Sequence, residues 1–272
     1  MSVTPRERIL TAFQHKRPDR TPTDAWFHDV VVAGLKKHYG TNDWGKVLGE
    51  LGIEGWAHLS PWVSFPEFDA RATVRPGGLK GPKAIWLDER TYENAWGVRN
   101  RFGEGDWYEE WAGGPLERAE TVDEITAYKF PTPAQVRDPD KYALKVDELK
   151  RQGKFVIATI SNPYKDAWLL RGMENILADY LINPDILTAM YDKLYALYEE
   201  ITTRAARAGV DMISIIGDIA MQDRIIMGPE AWRKFDKPRM ARLISRCRAI
   251  KPDVFFFIHS DGNVTDLMDD IV

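Results

Sequence analysis

Three short, mostly apolar stretches mark the second half of the chain: Phe155 to Ile160, Met212 to Ile216 and Val254 to Ile258. Each is too brief for a helix, rich in Ile, Val or Phe, and closed by a polar turn. That is the pattern of a strand buried on both faces of a parallel sheet. Between the first two, Ile186, Met190, Leu194, Leu197, Ile201 and Ala205 recur at spacings of three and four. This predicts one long amphipathic helix, opened by Asn183-Pro184-Asp185 and stopped at Gly209. Gly228-Pro229-Glu230 opens another helix, and Pro238 ends or kinks its first segment.

The first half alternates less cleanly. Thr4, Pro5 and Glu7 have the spacing of a capping box and predict a short opening helix. A strand is expected near residue 22, helices over about 30–38 and 44–51, and a second strand near residue 55. Over residues 62–130 the alternation breaks. Trp86, Tyr92, Trp96, Phe102 and Trp111 are interleaved with glycine and proline turns, which predicts an antiparallel excursion over the carboxyl-end face of the sheet, suited to a lid, a pocket wall or a subunit interface. Thr121 and Glu124 cap a further short helix, and a proline-rich connector leads to a helix ending near Gln152.

Strands near residues 22, 55, 157, 214 and 256 alternating with helices predict an α/β fold with a parallel sheet and right-handed crossovers. A (β/α)8 barrel needs eight strands, and a sheet stopping at five has an open edge. The chain is therefore expected to be part of a longer barrel, or to have that edge covered by a partner.

Composition narrows the function without naming it. Hydrophobic residues make up 44% and charged residues 29% of 272 positions, as in ordinary globular proteins. No apolar run approaches the roughly 20 residues a membrane-spanning helix needs, and the opening MSVTPRERIL has no signal-peptide core. A cytoplasmic protein is the expectation. The net charge of −4 offers no basic field for nucleic acid, and the single Cys247 rules out an internal disulfide framework.

In α/β folds, ligands bind at the carboxyl ends of the strands. Polar residues stand at each such end: Asp24, Trp26 and His28 with the first, His58 and Ser60 with the second, Ser161 and Asn162 with the third, Asp218 and Gln222 with the fourth, His259 and Asp261 with the fifth. His259 and Asp218 are the expected catalytic pair, since a carboxylate beside an imidazole orients it for proton transfer or metal binding. The others are expected to bind a small-molecule substrate. A divalent metal on His259 is the weaker expectation, because zinc needs at least three protein ligands and His259 with Asp261 marks two.

Longer motifs give the chain a family resemblance. ERILTAFQHKRPDRTP, ENAWGVRNRF, GGPLERAETVDEI, RGMEN, GDIAMQ with GPEAWRKFDKPRM, and FFFIHSDGNVTDLMDDIV run through essentially all of it. The chain resembles the uroporphyrinogen decarboxylase superfamily, which also holds zinc- and corrinoid-dependent methyltransferases. The resemblance implies a (β/α)8 TIM-barrel-type fold with its site in the barrel mouth, about five of the eight strands lying in this chain, residues 1–272 forming one incomplete barrel domain.

Within the superfamily, decarboxylases hold their polyanionic substrate with an arginine-rich segment after the first strand. No arginine occurs here between Arg20 and Arg71, and a polycarboxylate without guanidinium partners would be left unpaired. Methyltransferase members bind zinc through a His-x-Cys pair and a later cysteine; here Asp261 stands where that cysteine belongs. The resemblance therefore favours a methyltransferase, of the kind that removes methyl groups from aryl methyl ethers and passes them to a corrinoid protein. Decarboxylation and ligand binding on a non-catalytic barrel are the alternatives, and a homodimer is one way to cover the excursion.

Overall fold

The computed structural model describes residues 3–78, 81–106 and 108–272. Helix α1 (Pro5–Phe13) opens with the expected capping box: Thr4 accepts from the Glu7 N–H and Glu7 reaches back to Thr4. Helices α2 (Asp29–His38) and α3 (Trp44–Glu50) follow, and then strand β1 (Ala57–His58). After the short α4 (Pro66–Arg71), four strands, β2 (Ile85–Trp86), β3 (Thr91–Glu93), β4 (Arg99–Phe102) and β5 (Glu109–Gly113), form an antiparallel sheet in sequence order. Helices α5 (Val122–Ala127) and α6 (Pro139–Arg151) lead back to β6 (Val156–Ser161). Helices α7 (Pro163–Arg171), α8 (Met173–Leu181) and α9 (Pro184–Arg207) then precede β7 (Met212–Ile216). The chain continues with α10 (Pro229–Phe235), α11 (Lys237–Ile250), β8 (Phe255–His259) and α12 (Met268–Ile271).

Strands β1, β6, β7 and β8 form one parallel sheet in that spatial order, with α-helical crossovers between successive strands. Among the described residues it has four strands and is not closed. The expected strand near residue 22 is absent. Pro22 has no N–H to give a ladder, and Thr23 spends its groups on Glu54: its N–H and hydroxyl donate to the Glu54 carboxylate, while its carbonyl accepts the Glu54 N–H. Glu54 is buried and paired with Arg8 at 2.7 Å, so the segment is held by a polar cluster instead of by strand pairing.

Alternation on the strands divides the sheet into two faces. Val156, Ala158 and Ile160 of β6, with Ile213 and Ile215 of β7, join the main core beneath α9, whose Leu194, Leu197 and Ile201 are buried against it. Ile157, Thr159 and Ser161 face the other way, in register with Met212, Ser214 and Ile216 and then with Phe255, Phe257 and His259. At the amino ends of the strands this inner face is plugged by α1: Phe13 packs 5.8 Å from Phe155 and 5.0 Å from Phe255, and Arg6 pairs with Asp211 at 2.8 Å. The carboxyl ends carry no such plug in the described structure. That leaves the end with Ser161, Asp218 and His259 as the place for chemistry.

The excursion is antiparallel, as its pattern predicts, but its aromatics mostly serve its own small core. Tyr92 and Phe102 are buried with Trp86 packed against them, Trp86 and Phe102 stacked at 6.1 Å. Its exit is fastened to α7: Trp111 donates to the Leu169 carbonyl at 2.8 Å, and the Leu116 N–H donates to that of Leu170 at 2.9 Å. Arg171 donates to the Leu116 and Ala119 carbonyls while pairing with the fully buried Asp179 at 2.6 Å.

Candidate functional site

The ends of β7 and β8 are joined residue by residue. Ile216 and His259 are paired across the ladder, and the Gly217 N–H donates to the His259 carbonyl at 3.3 Å. Beyond them, the Ile219 N–H donates to Ser260 Oγ at 3.0 Å and the Asp261 N–H to Asp218 Oδ1 at 2.8 Å. The Asn263 N–H then reaches the Met221 carbonyl at 2.7 Å. Such close apposition needs Gly262, which sits at φ +89° and where a Cβ would lie 2.5 Å from the Met221 carbonyl oxygen. Gly217 plays the matching role on the other flank, where a Cβ would lie 2.8 Å from that of Asn162.

This stitching brings Asp218, His259 and Asp261 together, with one ligand atom from each lying within 4.8 Å of the others. His259 Nε2 stands 3.9 Å from Asp261 Oδ1. Asp218 is half-buried and turned by its bond to the Asp261 backbone, whereas the Asp261 side chain is 85% exposed. The His259 ring lies roughly parallel to Phe257 at 6.5 Å, and Trp56 meets Phe257 edge-on at 6.4 Å. An imidazole flanked by carboxylates at the rim of an aromatic inner face can move a proton, orient a polar group or ligate a cation.

Other residues expected at this mouth are placed differently. Ser161 is level with Ile216 and so shares the rim. Asn162 is buried and caps α7 by accepting from the Tyr164 N–H at 3.1 Å; its amide nitrogen has no hydrogen-bond partner. His58 pairs with Ile157, four residues short of Ser161, and its Nδ1 lies 3.4 Å from Thr159 Oγ1, on the inner face below the rim. Ser60 clasps the Thr159 backbone through both its N–H and its carbonyl.

Asp24 accepts from the Trp56 N–H at 3.1 Å, at the amino end of β1, so it is a fastening at the far end of the sheet from the rim. Trp26 is 99% exposed, and His28 caps α2 by accepting from the Val30 N–H at 3.3 Å. Both depart from the expectation for one reason: the first strand that was to carry them to the mouth does not form. Gln222 is exposed one residue beyond Met221.

Two groups escaped sequence reading. Asp166, on α7 behind the rim, accepts from the Tyr198 hydroxyl of α9, and burial pushes its carboxyl up to about 6. An acid in the first turn of a helix reads as a dipole partner, so nothing local flags it. The other is Phe257, hidden inside an apolar run until the register places it beside His259. A cavity of about 460 Å³ between α4 and the antiparallel sheet, lined by Phe65, Arg71, Glu93 and Lys129 among others, shares no residue with the Asp218, His259 and Asp261 cluster. It borders the antiparallel strands, whereas the cluster stands at the carboxyl ends of two parallel strands, β7 and β8.

The family model for uroporphyrinogen decarboxylase (URO-D) matches residues 113–272, which include the cluster and three of the four parallel strands. The chain belongs to the uroporphyrinogen decarboxylase family. No curated protein matches it. Among solved structures, a methyltransferase from Methanosarcina mazei is similar over 99% of this chain and 73% of its own, with a TM-score of 0.58 and 17% identity. The fold is thus of the TIM-barrel type of the uroporphyrinogen decarboxylase family. The zinc-thiolate centre that the family resemblance implies does not fit these residues: Asp261 follows His259 where a cysteine would be required, and Cys247 is buried in α11 within the helix-side core.

Proposed function

We propose that this uroporphyrinogen decarboxylase family member is a methyltransferase that takes a methyl group from a small aryl methyl ether and delivers it to a corrinoid held by a partner protein. The observation that carries this reading is the cluster of His259, Asp218 and Asp261 at the rim of an inner face bearing Trp56 and Phe257. The methyltransferase from Methanosarcina mazei with a similar fold supports it. So does the stretch between Arg20 and Arg71, which has no arginine to meet a polycarboxylate.

In this reading the aromatic ring of the donor packs on Phe257, with its ether oxygen toward His259. The reduced corrinoid supplies the methyl acceptor when its protein docks over the rim. As the methyl carbon leaves, the pair of the broken C–O bond stays on oxygen, and His259 gives that oxygen a proton so that a phenol departs. Asp218 and Asp261 flank the imidazole that makes this transfer.

The test is to mix the chain with a reduced corrinoid protein and a set of aryl methyl ethers. Phenol release is expected in step with corrinoid methylation. Carbon dioxide release from uroporphyrinogen in place of methyl transfer would assign the chain to the decarboxylases. Tight ligand binding without turnover would make it a non-catalytic binding barrel.

A further inference from the structure

The mismatch between this cluster and a zinc-thiolate centre has a positive counterpart. We infer that Asp218, His259 and Asp261 form a binding site for an oxygen-preferring divalent cation of the manganese or iron(II) type. The donor set is two carboxylates and one imidazole, and carboxylate oxygen suits such ions whereas thiolate selects zinc. The three ligand atoms already lie within 4.8 Å of one another. An ion held at about 2.0–2.2 Å by each needs them within roughly 4.4 Å. His259 Nε2 and Asp261 Oδ1 already stand 3.9 Å apart, and the exposed Asp261 side chain is the member able to adjust, because the rest of the set is fixed.

The fixing has two parts. His259 is held in the ladder by pairing with Ile216, and the Asp218 carboxylate keeps one oxygen on the Asp261 N–H at 2.8 Å, leaving the other oxygen for a cation. With three protein donors, the remaining coordination positions are open to water or to a substrate oxygen, as in catalytic metal sites. The inference rests on these residues and not on the methyl-transfer reading. A cation there would occupy the nitrogen lone pair that otherwise carries the His259 proton, and would itself take the charge on a departing oxygen.

Raw affinity is a poor guide, since nitrogen and oxygen sites bind zinc more tightly than manganese as a rule. The discriminating measurement is how substitution changes the two. Chelator-stripped chain is titrated with Mn²⁺, followed by loss of the free-ion paramagnetic resonance signal, and with Zn²⁺ by calorimetry. One Mn²⁺ per chain is expected, weakened at least about tenfold by Asp218→Asn and by Asp261→Asn, both near-isosteric. Asp261→Cys should weaken Mn²⁺ and strengthen Zn²⁺, raising the ratio of the two affinities by about tenfold or more. Failure to bind Mn²⁺, binding indifferent to both Asn variants, or an unchanged ratio in Asp261→Cys would overturn the assignment. Neither titration depends on turnover, so a failed methyl-transfer assay leaves it standing.

Discussion

The carboxylate of Asp218 accepts the backbone N–H of Asp261 at 2.8 Å, tying the turn after β7 to the turn after β8 alongside the bonds made by Ser260 and Asn263. One acid thus sets the position of the other, and with it the residue facing His259. Asp218→Ala removes the tie, whereas Asp218→Asn keeps an oxygen to accept it. Replacement by alanine is expected to lower turnover and to speed amide exchange at Asp261, while Asp218→Asn keeps the slow exchange. Equal protection of that amide in both variants would mean that the tie is not what holds the turn.

Gly262 lies under the same constraint. At φ +89°, with a Cβ placed 2.5 Å from the Met221 carbonyl and 2.7 Å from that of Ala220, alanine cannot be housed without parting the two turns. Gly262→Ala should cost at least about 1–3 kcal/mol in urea unfolding, and should abolish ligand or metal binding at the rim. Gly34, which has nothing within 4 Å of its added Cβ, provides the comparison: Gly34→Ala should not destabilise.

Arg171 and Asp179 are an ion pair buried on both sides, and Arg171 also holds two carbonyls of the chain leaving the antiparallel sheet. Removing one member leaves the other charge uncompensated. Arg171→Leu should therefore destabilise by about 3–5 kcal/mol, and hydrogen exchange should accelerate through β5 at the fastened exit. Loss of stability without faster exchange in β5 would show that the pair does not anchor the sheet.

Asp236 supplies a pH signature. It is buried between α10 and α11, accepts from Tyr180 at 2.8 Å and Tyr191 at 2.9 Å, and burial raises its carboxyl to about 7. The folded chain thus holds this proton more tightly than the unfolded chain, where an aspartate ionises near about 3.9. Its contribution is most favourable below about pH 4 and is lost as the pH rises to about 7. Compared with Asp236→Asn, the native chain should lose stability steadily across that window and run parallel above it. A difference that does not vary between pH 4 and 7 would contradict the assignment.

Much of this could be read before any coordinates. The spacing of Ile186 to Ala205 marks α9, the Thr4 and Thr121 capping boxes mark two helix starts, and three apolar stretches mark β6, β7 and β8. Asp218, His259 and Asp261 were legible because a strand ends where its apolar run ends, and parallel strands share that end. The first strand failed because its fate is decided by Glu54, a residue 31 positions away whose buried carboxylate takes the N–H of Thr23. The same non-local choice leaves Trp26 in solvent and Asp24 at the opposite end of the sheet. Trp86 misleads in another way: an aromatic count cannot tell a pocket wall from the private core of a small antiparallel sheet.

Two histidines on the inner face separate the account from a generic one. His259 stands at the rim with Asp218 and Asp261; His58 lies below it against Thr159. The direct measurement is the rate of methyl transfer from an aryl methyl ether to a corrinoid protein in His259→Ala and His58→Ala, each checked for an unchanged fold. A fall of about 10²- to 10⁴-fold is predicted for His259→Ala, with His58→Ala staying close to the native rate. Equal losses in the two variants, or a native rate in His259→Ala, would contradict it.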